Sequence, residues 1–310
     1  MPSLVTAVLV HHKDAATTLE SIESILSSDY PSLTLVVVDC APEKESISPK
    51  MVKEKMAVVR AFPDPGASLA RNKGIRKGMA ENPEYVLISD SDVVFQRTCL
   101  SALVKCARTS GKIGAVQPRI LSRQDPRRID SIGQHVVKNG AYDLGMGDLD
   151  GSSYQKSHDI FGVSSAAALY SSKVLSNVGL FDQHLQFMFE DVDLSWRIRL
   201  GGYTCCYEPN AIAYHLRRST GLGIQNLHRK SLQWRNWFLV SARYFPSDIL
   251  ARTLFRSIFR ALVALLIDFL NGKGGGSAVA LTCGGVHSLR IRWRLSPFMK
   301  NSENRSFVLD

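Results

Sequence analysis

Two acidic clusters lie about a hundred residues apart: Asp90-Ser91-Asp92 and Glu190-Asp191-Val192-Asp193. A leaving diphosphate carries negative charge that a bound Mg2+ or Mn2+ neutralises as a Lewis acid. Such cations take carboxylate oxygens, often only one or two of them from the protein. Asp90 and Asp92 have that chemistry, and they follow the apolar run Tyr85 to Ser89. The same triplet also fits a helix cap or a solvated turn. In the second cluster one carboxylate has the chemistry of a base that takes a proton from a hydroxyl. Its bland alternative is a helix start, since acidic residues suit the first turn and Asp193 and Arg197 form an i,i+4 pair. His215 closes the apolar stretch Ala211 to Tyr214. It is either a satisfied polar residue or the imidazole that completes a Mn2+ site begun by two carboxylates. Arg217 and Arg218 follow, where a phosphate would sit. Arg71 has the planar fork that clamps phosphate or a base, while Arg71, Lys73, Arg76 and Lys77 equally fit an exposed basic helix face.

These residues need a scaffold. Leu4–Val10 and Leu33–Val38 are nearly continuous apolar runs, as in strands buried on both faces of a parallel sheet. Helical patterns at Ala16–Leu26 and Ser68–Ala80 alternate with strands at Met56–Phe62 and Tyr85–Ser89. That alternation predicts a doubly wound α/β unit. Its ligands bind beyond the carboxyl ends of the strands, where Asp39 and Asp90 fall. A helix near Thr98–Thr109 and a strand near Gly114–Ile120 follow. Residues 122–159 are polar with little period and read as an insertion over a cleft. Then come an apolar segment Phe161–Tyr170, a short helix Gly179–Asp182, a helix from Asp191 to Leu200, and a strand pair near Tyr203–Tyr207 and Ala211–Tyr214.

The chain has 310 residues, enough for one large α/β domain or a domain with an appendage. Its net charge of +10 is uneven: residues 217–310 hold 15 Lys/Arg against 4 Asp/Glu. Trp234, Trp237, Phe238, Tyr244 and Phe245 interleave there with Arg229, Lys230, Arg235 and Arg243. Leu254–Leu270 is apolar, but its longest uncharged run, Ala261–Ile267, is far short of the roughly 20 residues that span a bilayer. The pattern predicts a helix lying in an anionic membrane interface. Packing as a helical appendage or a homo-oligomer contact is the alternative. A basic nucleic-acid-binding protein is a different class that the charge and aromatics also fit, but the long aliphatic runs argue for no nucleic acid. Lys273–Ser277 reads as a linker, and Arg290, Arg292 and Arg294 alternate with Ile291, Trp293 and Leu295. Six cysteines without CxxC spacing predict a reducing compartment. Met1-Pro2-Ser3 lacks the basic start of a signal peptide. The expected location is cytoplasmic, peripheral on the inner face of the membrane.

The order of the motifs carries a resemblance over about residues 4–220. It runs through Leu4–Val10, Leu35–Asp39, Gly66–Ile75, Val86–Asp92, Val178–Asp182, Phe189–Arg197 and Gly202 through Pro209 to His215. The chain resembles the family-two inverting glycosyltransferases of GT-A fold, and among them the rhamnosyltransferase-like and polysaccharide-assembly branch. The resemblance implies a GT-A-type doubly wound, mixed, mostly parallel sheet, with a helical basic C-terminal appendage. It implies a glycosyltransferase domain at 1–220, with a nucleotide-sugar half at 1–120 and an acceptor and base half at 121–220, followed by 221–310. A nucleotide-diphosphate sugar would be the donor, a glycan or lipid-linked glycan the acceptor, and Mn2+ or Mg2+ the cofactor. By the same resemblance Asp39 contacts the nucleoside, and Arg71 its base or diphosphate. Asp92 holds the metal, Asp90 the ribose or a metal water, and His215 is a further metal ligand. Asp191 is the base, with Glu190 and Asp193 ordering its site. A retaining transferase or a nucleotidyltransferase would share the nucleotide site. The chain departs from the family pattern at His11-His12-Lys13 and at Asp64-Pro65, both near the nucleotide.

Overall fold

The computed structural model describes residues 2–47, 54–137, 140–217 and 224–270. The Lys273–Ser277 linker, the Arg290–Phe298 stretch and Arg218 lie outside the described residues. Two compact units are present: residues 1–135, 142–186 and 190–217 in one, and 136–141, 187–189 and 218–310 in the other.

The first unit is built on one sheet. In chain order its elements are β1 (Val5–His11), α1 (Ala15–Leu26), β2 (Leu33–Asp39), β3 (Met56–Arg60), α2 (Ala67–Met79), β4 (Tyr85–Asp90), β5 (Val93–Phe95) and α3 (Cys99–Ala107). There follow β6 (Ile113–Ser122), β7 (Ile129–Ser131), β8 (Gln134–Val137) and β9 (Gly140–Asp143), whose residues 136–141 fall in the second unit, then β10 (His158–Ile160), β11 (Ala167–Ser171), α4 (Ser172–Val178), α5 (Glu190–Leu200) and β12 (Thr204–His215). The strand order is β10-β12-β6-β11-β4-β1-β2-β3, with β5 on β12 and β7 on β6; β8 and β9 pair separately. β3, β2, β1 and β4 run parallel. β11 lies antiparallel between β4 and β6, and β6 runs parallel to β12. The parallel strands β1, β2, β4, β6 and β12 therefore end at one edge.

Side-chain alternation sorts the core into two layers. Val5, Ala7 and Leu9 of β1 pack with Ile22 and Ile25 of α1 and Leu103 of α3. Val8 faces the other way, with Ala70 and Ile75 of α2, Val174 of α4, and Leu194 and Ile198 of α5. Helices on both faces explain why the central strands read as unbroken apolar runs. Each fully buried aliphatic side chain stabilises the fold by roughly 1.5–3 kcal/mol. Helix α2 lies close on the sheet because position 74 is glycine: a Cβ there would meet Val8 Cγ1 at 2.3 Å and Val38 Cγ2 at 2.8 Å.

Three features differ from the sequence reading. Residues 122–159 are not featureless; they contain β7, β8, β9 and the start of β10. The expected strand pair at 203–214 is one twelve-residue strand, whose register on β6 shifts between Glu208 and Ile212. The short helix expected at Gly179–Asp182 lies earlier, at Ser172–Val178, and Gly179 (φ 82°) ends it in the left-handed region.

The second unit contains helices α6 (Ile224–Tyr244) and α7 (Ser247–Leu270). Trp237, Phe238, Val240 and Phe245 are buried. Buried Asn236 donates to the carbonyls of Phe187 and Met188, each at 2.8 Å. Among the described residues no helix is long and apolar enough to cross a membrane.

Candidate active site

The chain path itself brings Asp92 to His215. β4 ends at Asp90 between β1 and β11, yet β5, three residues on, pairs with β12. Ser91 and Asp92 therefore cross the strand ends. Val93 lies opposite His215 in that pairing, and the Leu216 N–H donates to the Asp92 carbonyl at 3.0 Å. The Asp92 carboxylate reaches His215 Nε2 at 3.2 Å. Asp90, Asp92 and His215 each offer a ligand atom within 4.8 Å of the others.

His215 is buried and has a second carboxylate, Asp130 of β7, at 2.8 Å from Nδ1. Burial alone would depress the imidazole pKa. Hydrogen bonds to Asp130 and Asp92 outweigh it and push the pKa up to about 10. Asp130 also takes Arg217 Nε at 2.8 Å, and Arg217 Nη2 reaches Asp143 at 2.9 Å. Two carboxylates and one imidazole on converging strand ends fit a divalent cation that accepts both oxygen and nitrogen, such as Mn2+.

Arg71 joins the two acidic clusters. It is 3% exposed, not part of a solvated basic face. Nη2 donates to Asp90 at 2.8 Å and Nη1 to Glu190 at 2.6 Å. One guanidinium thus spans carboxylates 100 residues apart in sequence. Burial opposes its charge, but Asp90 and Glu190 outweigh that and raise its pKa further. Burial pushes the Glu190 carboxyl up to about 7; Arg71 opposes the rise and Asp191 adds to it.

Glu190 and Asp191 open α5. Asp191 Oδ2 accepts the Ser165 N–H at 3.1 Å, and Oδ1 accepts the Val192 N–H at 2.9 Å. Both carboxylate oxygens are oriented by backbone donors, and the side chain is partly exposed. Asp193 is fully buried and pairs with Arg197 at 3.0 Å, while Arg197 also donates to the carbonyls of Val178, Gly179 and Leu180. Asp193 anchors α5 to the preceding loop.

Asp39 ends β2, opposite His11 of β1. Its carboxylate is 1% exposed and takes N–H groups from Ala41 and Ile47, each at 3.1 Å, the Ser46 hydroxyl, and Arg60 at 3.0 Å. His11 is equally occupied, bonded to Thr18 and the Glu45 carbonyl. The two departures from the family pattern touch: His12 Nδ1 lies 3.1 Å from Asp64.

Asp130, Asp143 and Ser165 were not singled out in the sequence. The first two sit in the stretch with little apparent period. Ile129-Asp130-Ser131 is too short for alternation to announce a strand. Ser165 acts through its backbone N–H, which no side-chain type reveals.

The parallel and antiparallel strands with helices on both faces make this a GT-A fold. A mannosyltransferase from Pyrobaculum calidifontis, solved with GDP-Man and Mn2+, superposes with a TM-score of 0.55 at 15% identity, over 94% of this chain and 88% of that one. GalNAc-T7, solved with UDP, GalNAc and Mn2+, gives 0.61 at 15% identity, over 79% and 48%. The chain belongs to the glycosyltransferase-like family 2, whose model matches residues 2–236. Among curated proteins it is similar to the poly-beta-1,6-N-acetyl-D-glucosamine synthase of Staphylococcus epidermidis, 23% identical over 74% of this chain and 53% of that protein. It is also similar to a pre-mycofactocin glycosyltransferase of Mycobacterium tuberculosis, 30% identical over 50% of this chain and 31% of that protein. The chain spans about half the length, or less, of these relatives.

Proposed function

We propose that the chain transfers a sugar from a nucleotide-diphosphate sugar to a glycan or lipid-linked glycan acceptor, with inversion at the anomeric carbon. The observation that carries this reading is the Arg71 guanidinium, held between Asp90 and Glu190. It brings the carboxylate cluster suited to a cation beside the one suited to a base.

Asp90, Asp92 and His215 would hold Mn2+ or Mg2+, which neutralises the departing diphosphate. Asp191 takes the proton from the acceptor hydroxyl as that oxygen bonds to the anomeric carbon. The hydroxyl attacks opposite the departing diphosphate, which inverts the centre. The N–H groups of Ser165 and Val192 hold the carboxylate in orientation. Glu190, bound to Arg71, keeps the guanidinium in place; Arg71 acts as the support of Asp90 rather than as a free clamp on the donor. Asp39 shapes the loop after β2 at the nucleoside end.

The acceptor surface is proposed to be an anionic membrane. On α7, Phe255, Phe259, Leu262, Val263 and Leu266 are exposed, with Phe255 at 73%. Their spacing places them on one helical face, and Arg252 and Arg256 are exposed on the same helix. An apolar stripe flanked by arginine fits a headgroup interface. Sedimentation with anionic vesicles, lost in a Phe255→Ser/Phe259→Ser variant, is the expected result. Retention of vesicle binding by the variant, or self-association without vesicle binding, rejects this face as a lipid contact.

The defining experiment is a screen of nucleotide sugars for Mn2+-dependent hydrolysis. One donor should be cleaved, EDTA should abolish cleavage, and Mn2+ should restore it. Cleavage unaffected by EDTA would remove the cation from the reading. NMR of the transfer product reports the anomeric configuration, and a retained configuration would reject inversion.

A further inference from the structure

We propose that Asp130 is a positioning residue that sets the ring orientation and tautomer of His215 for cation binding. The proposal rests on the reading of Asp90, Asp92 and His215 as the cation site.

An imidazole at a strand end can present either nitrogen. Here the choice is made by a carboxylate. Asp130 Oδ2 lies 2.8 Å from Nδ1, and an ionised carboxylate only accepts hydrogen bonds. Nδ1 therefore donates to Asp130, and by the same rule Nε2 donates to Asp92. Because Asp92 is itself a proposed ligand, a cation there would displace the Nε2 proton while Asp130 keeps the one on Nδ1. Rotating the ring would break a hydrogen bond in a buried place, since Asp130 is 6% exposed.

Asp130 is itself held on both sides. Its other oxygen takes Arg217 Nε, and Arg217 continues to Asp143. The backbone around it is fixed by the sheet: Ile129 and Ser131 of β7 pair with Leu121 and Ile120 of β6, and Ser122 of β6 pairs with His215. Asp130 is the extra residue between those two β6–β7 pairs, so its separation from His215 is set by the pairs that flank it. Carboxylates behind metal-binding histidines fix the tautomer and raise ligand basicity, and losing one costs about 10–100-fold in metal affinity.

The test is Mn2+ affinity of the full chain, read by electron paramagnetic resonance of free Mn2+. Asp130→Asn should weaken Mn2+ binding about 10–100-fold. Mg2+, which favours oxygen over imidazole, should lose less than about 3-fold by competition. In a His215→Ala background Asp130→Asn should have no further effect, because it acts through that ring. Unchanged Mn2+ affinity in Asp130→Asn overturns the proposal, and so does an equal loss with or without His215. If His215→Ala itself binds Mn2+ like the unaltered chain, it is the cation-site reading that fails. Should Asp130→Asn not fold, Arg217→Gln replaces it at a half-exposed position. A loss of about 2–5-fold in Mn2+ affinity that vanishes without His215 is then expected, and no loss overturns the proposal.

Discussion

The two ends of the strand edge hold their carboxylates by different means. At the β2 end, Asp39 is fixed mainly by N–H and hydroxyl groups of Ala41, Ser46 and Ile47, all within eight residues of it. At the β12 end, Asp92, His215, Asp130, Arg217 and Asp143 form a chain of charged side chains drawn from distant segments. Arg71 extends this second style to Asp90 and Glu190. A carboxylate held by its own loop keeps its geometry when remote parts of the fold shift. One held by charged partners depends on strand register and on each partner remaining in place. The proposed nucleoside end is therefore locally robust, and the proposed chemical end is globally coupled.

The largest effect should come from the proposed base. Asp191→Asn is expected to lower single-turnover sugar transfer by about 10²–10⁴-fold while donor affinity stays within about 3-fold. Undiminished transfer would remove Asp191 from the base role and with it the chemical meaning of the coupled end.

Arg71→Met should be next. It leaves Asp90 and buried Glu190 without their cation, an expected loss of about 3–5 kcal/mol in urea unfolding. A loss under about 1 kcal/mol would mean that the two clusters are independent and the contrast between the ends is false.

Glu190 gives the contrast a pH signature. Its folded pKa of about 7 lies above its ordinary 4.5. Between those values the folded chain holds more protons than the unfolded one, so this group's contribution falls as pH rises from 4.5 through 7. The stability of the unaltered chain relative to Glu190→Gln should drop by roughly 2–3 kcal/mol from pH 4.5 to pH 8. A flat difference would show that the carboxyl titrates as in water.

Asp39→Asn should have the smallest effect, about 1–2 kcal/mol, because the amide oxygen keeps one of the two backbone N–H bonds, from Ala41 or from Ile47, and only the other is lost. Melting curves that place it level with Arg71→Met would erase the distinction between local and coupled ends.

Legibility followed the same division. The runs of β1, β2 and β4 were readable because helices cover both faces of the sheet, leaving no polar positions to interrupt them. Asp90, Asp92 and Glu190-Asp191 stood out because carboxylate clusters at element ends are rarely needed for packing. Tyr203–Tyr207 and Ala211–Tyr214 read as two strands, but they form one strand in which residues 209–211 are taken up as a register shift on β6. Arg71 fitted an exposed basic face by spacing. It is buried because α2 presses against the sheet at Gly74, one turn beyond it.

By itself, then, the amino-acid order determined that β1, β2 and β4 are buried strands, and which residue types are available for cation and proton chemistry. Those follow from periodicity and side-chain chemistry, which are local properties. Tertiary structure alone decided that Arg71 bridges two clusters, that Asp92 meets His215 across the strand ends, and that Asp130 stands behind that histidine. Each of these is a distance between segments far apart in the chain, set by strand order and register, and no local pattern encodes it.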